Sequence, residues 1–261
     1  MIGIIKQLFK MNIKTWSEYR MDFFIGITAV LVSNLTSIVL FWIIFSHVTT
    51  INNWTLDQMF FLLGLYFTSL GLWHVFLQGP MPHRIERYIV NGELDGLLLR
   101  PVNTLSLLIL SKIDDDGIGD LIAGLLLLLY ASNALSIVWS VQNIVLIIST
   151  VLGSVLIIFS LMLLLTSAGF WVIKSSILTN LLYPIMRFIE FPLEIYNPFI
   201  IFILTFVLPL GFINYYPAQL FLSKGSITFA SYLTLFVGIV FFSIAYKLWK
   251  FGLKNYSSTG S

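Results

Sequence analysis

The chain contains no cysteine, which excludes disulfides, thiol catalysis and thiolate-held metals, although it identifies no compartment. Charge is scarce too: Asp, Glu, Lys and Arg make up 10% of the residues, against roughly 25% in an ordinary soluble domain. No G-x-x-x-x-G-K-[ST] run is present, so nothing here can cradle nucleotide phosphates in a Walker-type loop. The three histidines, His47, His74 and His83, are isolated and lack the paired spacing of a metal site. The net charge of +2 is too small and dispersed to mark a nucleic-acid surface. Nor does a ladder of carboxylates or an inverted repeat run through the apolar segments, which argues against an ion-driven carrier.

What is there is apolar. Hydrophobic residues are 58% of the 261 and the mean hydropathy is +0.96, so the chain reads as a polytopic all-α integral membrane protein. Spans of ~20 residues leave room for about five to seven crossings and none for a separate soluble catalytic domain. Uncharged runs place spans at about 23–45, 58–77, 117–135, 143–167 and 226–246. The stretch 175–224 must supply the remaining crossing.

Basic flanks are retained in the cytoplasm. Six crossings put Lys6, Lys10, Lys14, Arg20, Arg84, Arg87, Arg100, Lys112, Lys174, Lys247, Lys250 and Lys254 on one side and Lys224 on the other. Both termini and the segment 78–112 are then expected in the cytoplasm. The first twenty residues lack the apolar core of a cleavable signal. Ile5, Leu8, Phe9, Ile13 and Trp16 recur at helical spacing above Lys6, Lys10 and Lys14, which fits an N-terminal interfacial helix or, equally, a basic topogenic leader.

Proline marks broken structure. Pro184, Pro192, Pro198, Pro209 and Pro217 crowd into one stretch before the last span, and non-helical backbone at membrane depth needs protein or a water-filled cavity around it. The uncharged run from Ile195 to Ser223 is too short for two crossings. It is either one broken span or a re-entrant outer-side hairpin, here placed at about 197–222 with span five at 175–193. That choice sets Arg187 and Glu190 on one helical face inside span five, as part of a pathway or gate or as a self-neutralising pair near the outer interface. Asn34 and Thr36 in span one and Thr68 and Ser69 in span two are further candidates for a substrate route; the plainer reading has them bonded to their own backbone. Asp114, Asp115, Asp116 and Asp120 read as a solvated acidic collar at the entry to span three, without calcium-loop spacing.

Between spans two and three, Arg84 to Val90 can form a short helix stopped by Asn91-Gly92, and Glu93 to Leu99 a second one closed before Arg100-Pro101. Its apolar side, Leu94, Leu97 and Leu98, suits docking into a groove on a soluble partner, unless the segment is an ordinary loop.

NGELDGLLLRPVN in that segment, with FPLEIYNP and LTFVLPLGFINYYPAQLFL before the last span, resembles the permease subunits of type-two ABC transporters, most closely the bacterial multidrug and viologen-type exporter branch. The resemblance runs through the whole chain in span order. It implies a single permease domain over 1–256 with six spans, which dimerises with the same or a homologous permease in the bacterial inner membrane. Separate ATP-binding subunits would carry ATP and Mg, with no catalytic site, cofactor or metal in this chain. By position, Gly92, Glu93, Leu94, Asp95, Arg100 and Pro101 would form the element coupled to the ATPase. Pro192, Pro198, Pro209, Tyr215, Tyr216 and Pro217 would belong to the re-entrant hairpin. The implied activity is export of a small molecule of unspecified identity. The competing expectation is a membrane scaffold or sensor that recruits a soluble partner through 78–112. Residues 257–261 read as a tail.

Overall fold

The structure is a computed structural model that describes residues 18, 20–111, 113–172, 174–222 and 229–257. The interfacial helix expected before residue 18 lies outside these residues, as do Lys112 and Lys224. Among the described residues there is no strand, only an isolated bridge between Ile51 and Trp54. Among the described residues, five helices are long and apolar enough to cross a bilayer, or six if the bent pair Pro198–Val207 and Leu210–Phe221, which meet at 76°, is one broken span. The chain is thus an all-α integral membrane protein.

The helices are α1 (Arg20–His47), α2 (Leu56–Leu77), α3 (Pro82–Val90), α4 (Glu93–Leu98), α5 (Thr104–Ser111), α6 (Asp116–Ala134), α7 (Val141–Ala168), α8 (Ser176–Met186), α9 (Pro198–Phe202), α10 (Tyr215–Phe221) and α11 (Thr234–Asn255). The central one is α2, which touches α1, α6, α7 and α10. It starts where the Gln58 side chain accepts the Thr55 N–H at 3.1 Å, satisfying a donor that the helix itself leaves unpaired. By contrast α1 buries only Asn34 and Phe41. The last helix starts at Thr234 and carries Lys247, Lys250 and Lys254 inside its final turns.

Glycines set how closely α2 and α6 approach. A Cβ at Gly71 would lie 2.6 Å from the Leu121 nitrogen, and one at Gly124 would lie 2.4 Å from the Thr68 nitrogen. One at Gly117 would stand 2.6 Å from the His74 Cβ. Small residues let membrane helices meet backbone to backbone, where dispersion replaces the absent hydrophobic drive.

The proline-rich stretch is irregular for identifiable reasons. Pro184 sits inside α8, which tightens into a 3₁₀ turn over Arg187–Glu190 and ends before Pro192. After α9 the helix widens to a π turn over Ile203–Val207, where the Leu208 N–H reaches the Ile203 carbonyl at 2.8 Å. Pro209 then stops it, having no N–H to continue the ladder. Side chains from the long helices take up the freed backbone groups. Ser154 donates to the Ile213 carbonyl at 2.8 Å, Thr234 to Phe212 at 3.1 Å, and buried Asn214 to Ile189 at 2.7 Å. This satisfies backbone that hydrocarbon could not.

Candidate functional site

A cavity of about 490 Å³ opens between α1, α2, α6 and the α8 region. Its lining is polar for a membrane interior: Asn34, Thr36 and Ser37 from α1, Tyr66 and His74 from α2, Asp120 from α6, and Tyr183, Arg187 and Glu190 from α8 and its 3₁₀ extension. Three helices converge on Asp120. The His74 Nδ1 lies 2.7 Å from Asp120 Oδ2, and the Asn34 side-chain amide donates to Oδ1 at 2.8 Å. The glycine seam makes this possible, since Gly117 lets His74 drop against α6 one turn away from Asp120.

The acidic collar expected at the start of α6 is therefore solvated only in part. Asp120 is 3% exposed and Asp114 is 4% exposed, while Asp115 is half-buried and Asp116 exposed. The periodicity explains it: four residues on from Asp116, Asp120 lies a full turn inside the helix, where α1 and α2 cover it. No ladder of carboxylates was expected among the spans, yet two of them, Asp120 and Glu190, are buried and line one chamber. His74, read as isolated, is the partner of one of them.

Of the sequence candidates, Asn34, Thr36, Arg187 and Glu190 all line the chamber. The Thr36 hydroxyl is spent on the Val32 carbonyl at 3.1 Å. Glu190 is 8% exposed, whereas Arg187 is exposed. Thr68 and Ser69 are buried against α6 and do not line the chamber. Sequence reasoning missed Tyr66, His74, Asp120 and Tyr183 as chamber residues. The signal that could have found two of them is the small-residue spacing Gly64, Thr68, Gly71 facing Gly117, Gly124, which pairs α2 with α6.

A second polar cluster holds the proline-rich stretch. The Glu194 carboxylate accepts Trp54 Nε1 at 3.1 Å and the Tyr215 hydroxyl at 2.8 Å, while the Glu194 carbonyl accepts the Asn52 amide at 3.1 Å. Tyr216 shares a 2.8 Å hydrogen bond with Thr205 across the bend. Thus Tyr215, in the first turn of α10, packs on Trp54 of the loop before α2, while Tyr216 faces the bend and Pro217 is buried in the same helix. Pro192 and Pro198 flank the Glu194 turn, and Pro209 stands at the bend.

On the far side of α2, α3 and α4 form a short two-helix element. Pro82 starts α3, Gly92 turns the chain in the left-handed region at φ 70°, and α4 follows at Glu93. Leu94 is 0% exposed, so the docking face expected at Leu94, Leu97 and Leu98 is corrected: Leu94 and half-buried Leu97 face the protein. What faces out is Val90, Leu98 and Leu99, the last 86% exposed, beside exposed Glu93 and Arg100. Burial pulls the Arg84 guanidinium below its usual range, opposed by Tyr88 and Asp114. Burial and then the nearby Asp95 carboxylate push the Tyr256 phenol up, so the end of α11 reaches α4.

A bundle of apolar helices around a polar internal chamber, with a short two-helix element at one end, defines a polytopic membrane protein. Residues 31–260 match the family model described as ABC-2 family transporter protein, and the chain belongs to that family. No curated protein and no solved structure matches it. It is accordingly a membrane permease component of an ABC transporter, distinct from the ATPase component.

Proposed function

We propose that the chain is the permease half of an ATP-driven exporter of the bacterial inner membrane, dimeric with the same or a homologous permease, with both termini cytoplasmic. Separate ATP-binding subunits carry ATP and Mg and dock on α3 and α4, with Gly92, Glu93, Leu94, Asp95, Arg100 and Pro101 forming the coupling element around an outward Leu99. The re-entrant hairpin is built from Pro192, Pro198, Pro209, Tyr215, Tyr216 and Pro217. The observation that carries this reading is the family match over residues 31–260. An exposed apolar knob between charges, Leu98 and Leu99 between Glu93 and Arg100, supports the docking role, because short amphipathic helices dock in grooves.

In mechanism, closure of the ATPases on ATP displaces α3 and α4 as a lever. The route into the membrane is the contact of α3 with the first turn of α8, whose other end carries Arg187 and Glu190 into the chamber. The decisive experiment is co-purification of the chain with an ATP-binding-cassette subunit encoded beside it. Vanadate-sensitive ATPase activity is then compared between the native chain and Glu93→Ala with Asp95→Ala. Loss of assembly or of coupled activity is expected. Normal assembly and activity in the double variant would overturn the coupling assignment, and a chain that assembles with no such ATPase is the scaffold of the competing reading.

A further inference from the structure

Two carboxylates in the chamber, Asp120 and Glu190, are at least nine-tenths buried; of the basic groups that line it, His74 contacts Asp120, while Arg187 is exposed and no ion pair joins it to Glu190. Asp120 is held by an amide on one oxygen and an imidazole on the other. Each carboxylate offers about four acceptor sites, so each Asp120 oxygen keeps one more. Burial without a contacting cation destabilises the Glu190 carboxylate, which a cationic occupant would relieve and an anionic one would worsen.

From this we infer that the chamber is the binding site for a small amphiphile bearing a protonated alkylamine, an inference that rests on the permease reading and names its cargo class. The ammonium seats on Asp120 and Glu190 because three N–H donors match carboxylate and tyrosine oxygens. A quaternary ammonium, with no N–H, keeps its Coulombic attraction to the carboxylates and can stack on the ring faces of Tyr66, Phe67 and Tyr183, but donates no hydrogen bond to them. The apolar tail lies along Val30, Phe67 and Leu70. The volume of about 490 Å³ falls in the range of small-molecule sites, about 300–1,000 Å³. An inner-sphere metal ion is a poorer fit, since both Asp120 oxygens are already capped by hydrogen bonds that it would have to displace.

The test uses the full chain, with its ATPase, in lipid nanodiscs. The probes are a fluorescent primary alkylamine, dansylated diaminopentane, and its N-trimethylated analogue. Saturable binding of the primary amine is expected, with the trimethylated form roughly tenfold or more weaker. Asp120→Asn and Glu190→Gln should each weaken the primary amine by roughly the same factor. Should Asp120→Asn fail to fold, Glu190→Gln decides the matter alone. Absent saturation, equal affinity for the two probes, or unchanged affinity in the folded variants overturns the inference. A chain that assembles with its ATPase yet ignores the amine sinks only this proposal; one that binds the amine but has no ATPase partner sinks the transporter reading instead.

Discussion

The Glu86 carboxylate accepts the backbone N–H of Ser176 at 3.2 Å, tying α3 to the first turn of α8. A carboxylate at a helix N-terminus fills an orphan donor and meets the positive end of the helix dipole. The bond links the proposed docking element to the helix that brings Tyr183, Arg187 and Glu190 to the chamber.

Glu86→Ala is therefore expected to leave assembly with the ATPase intact while lowering cargo-stimulated ATPase activity several-fold. The local cost is about 0.3–2 kcal/mol, small against the whole fold. Stimulation equal to the native protein in a well-assembled complex would show that α8 takes its signal from elsewhere.

The exposed and buried leucines of α4 give a matched pair. Leu99→Asp should abolish ATPase co-purification without moving the melting temperature, because Leu99 is 86% exposed. Leu94→Asp, at 0% exposure, should instead destabilise by more than about 3 kcal/mol and reduce yield. Docking retained in Leu99→Asp would place the contact surface away from this helix.

At the other end, Glu194→Ala removes the acceptor of Trp54 and Tyr215 at once. Hydrogen bonds to a charged group contribute about 1.5–3 kcal/mol each, so thermal melting in detergent should fall clearly. Tyr215→Phe, which removes the hydroxyl's bonds to Glu194 and Gln219 but keeps the Trp54 bond, should fall by less. Equal melting of Glu194→Ala and the native chain would mean the cluster does not hold the bend.

Gly117→Ala puts a methyl 2.6 Å from the His74 Cβ. Overpacking of this kind costs about 1–3 kcal/mol, and it separates His74 from Asp120. A lower melting temperature together with weaker amine binding is expected, while Gly96→Ala, with nothing within 4 Å of its added Cβ, serves as the control.

Much of the fold was legible in the sequence because lipid imposes a length on every apolar run: Asp22 to His47 and Gln58 to Leu77 read as spans, and α1 and α2 cover them. Prolines located the broken stretch for an equally direct reason, the missing N–H. The chamber was half legible. Arg187 and Glu190 stand out as charges in an apolar segment, but Asp120 follows three aspartates in sequence and so reads as their neighbour in water. Only the partner helix reveals otherwise, and His74 lies 46 residues away. Leu94 was misplaced because the six residues of α4 are too few for a periodicity to say which side faces the protein.

The glycine seam between α2 and α6 also has a mechanical meaning. Two helices whose backbones touch at Gly71, Gly117 and Gly124 cannot slide or rotate past each other without collision, so Asp120 and His74 belong to a stationary wall. Any alternation of access must be carried by the chamber's other wall, the lightly buried α1 and the short, proline-bent α8. A transport cycle in this molecule would then move Glu190 relative to a fixed Asp120, loosening the grip of two carboxylates on one ligand without either leaving the membrane.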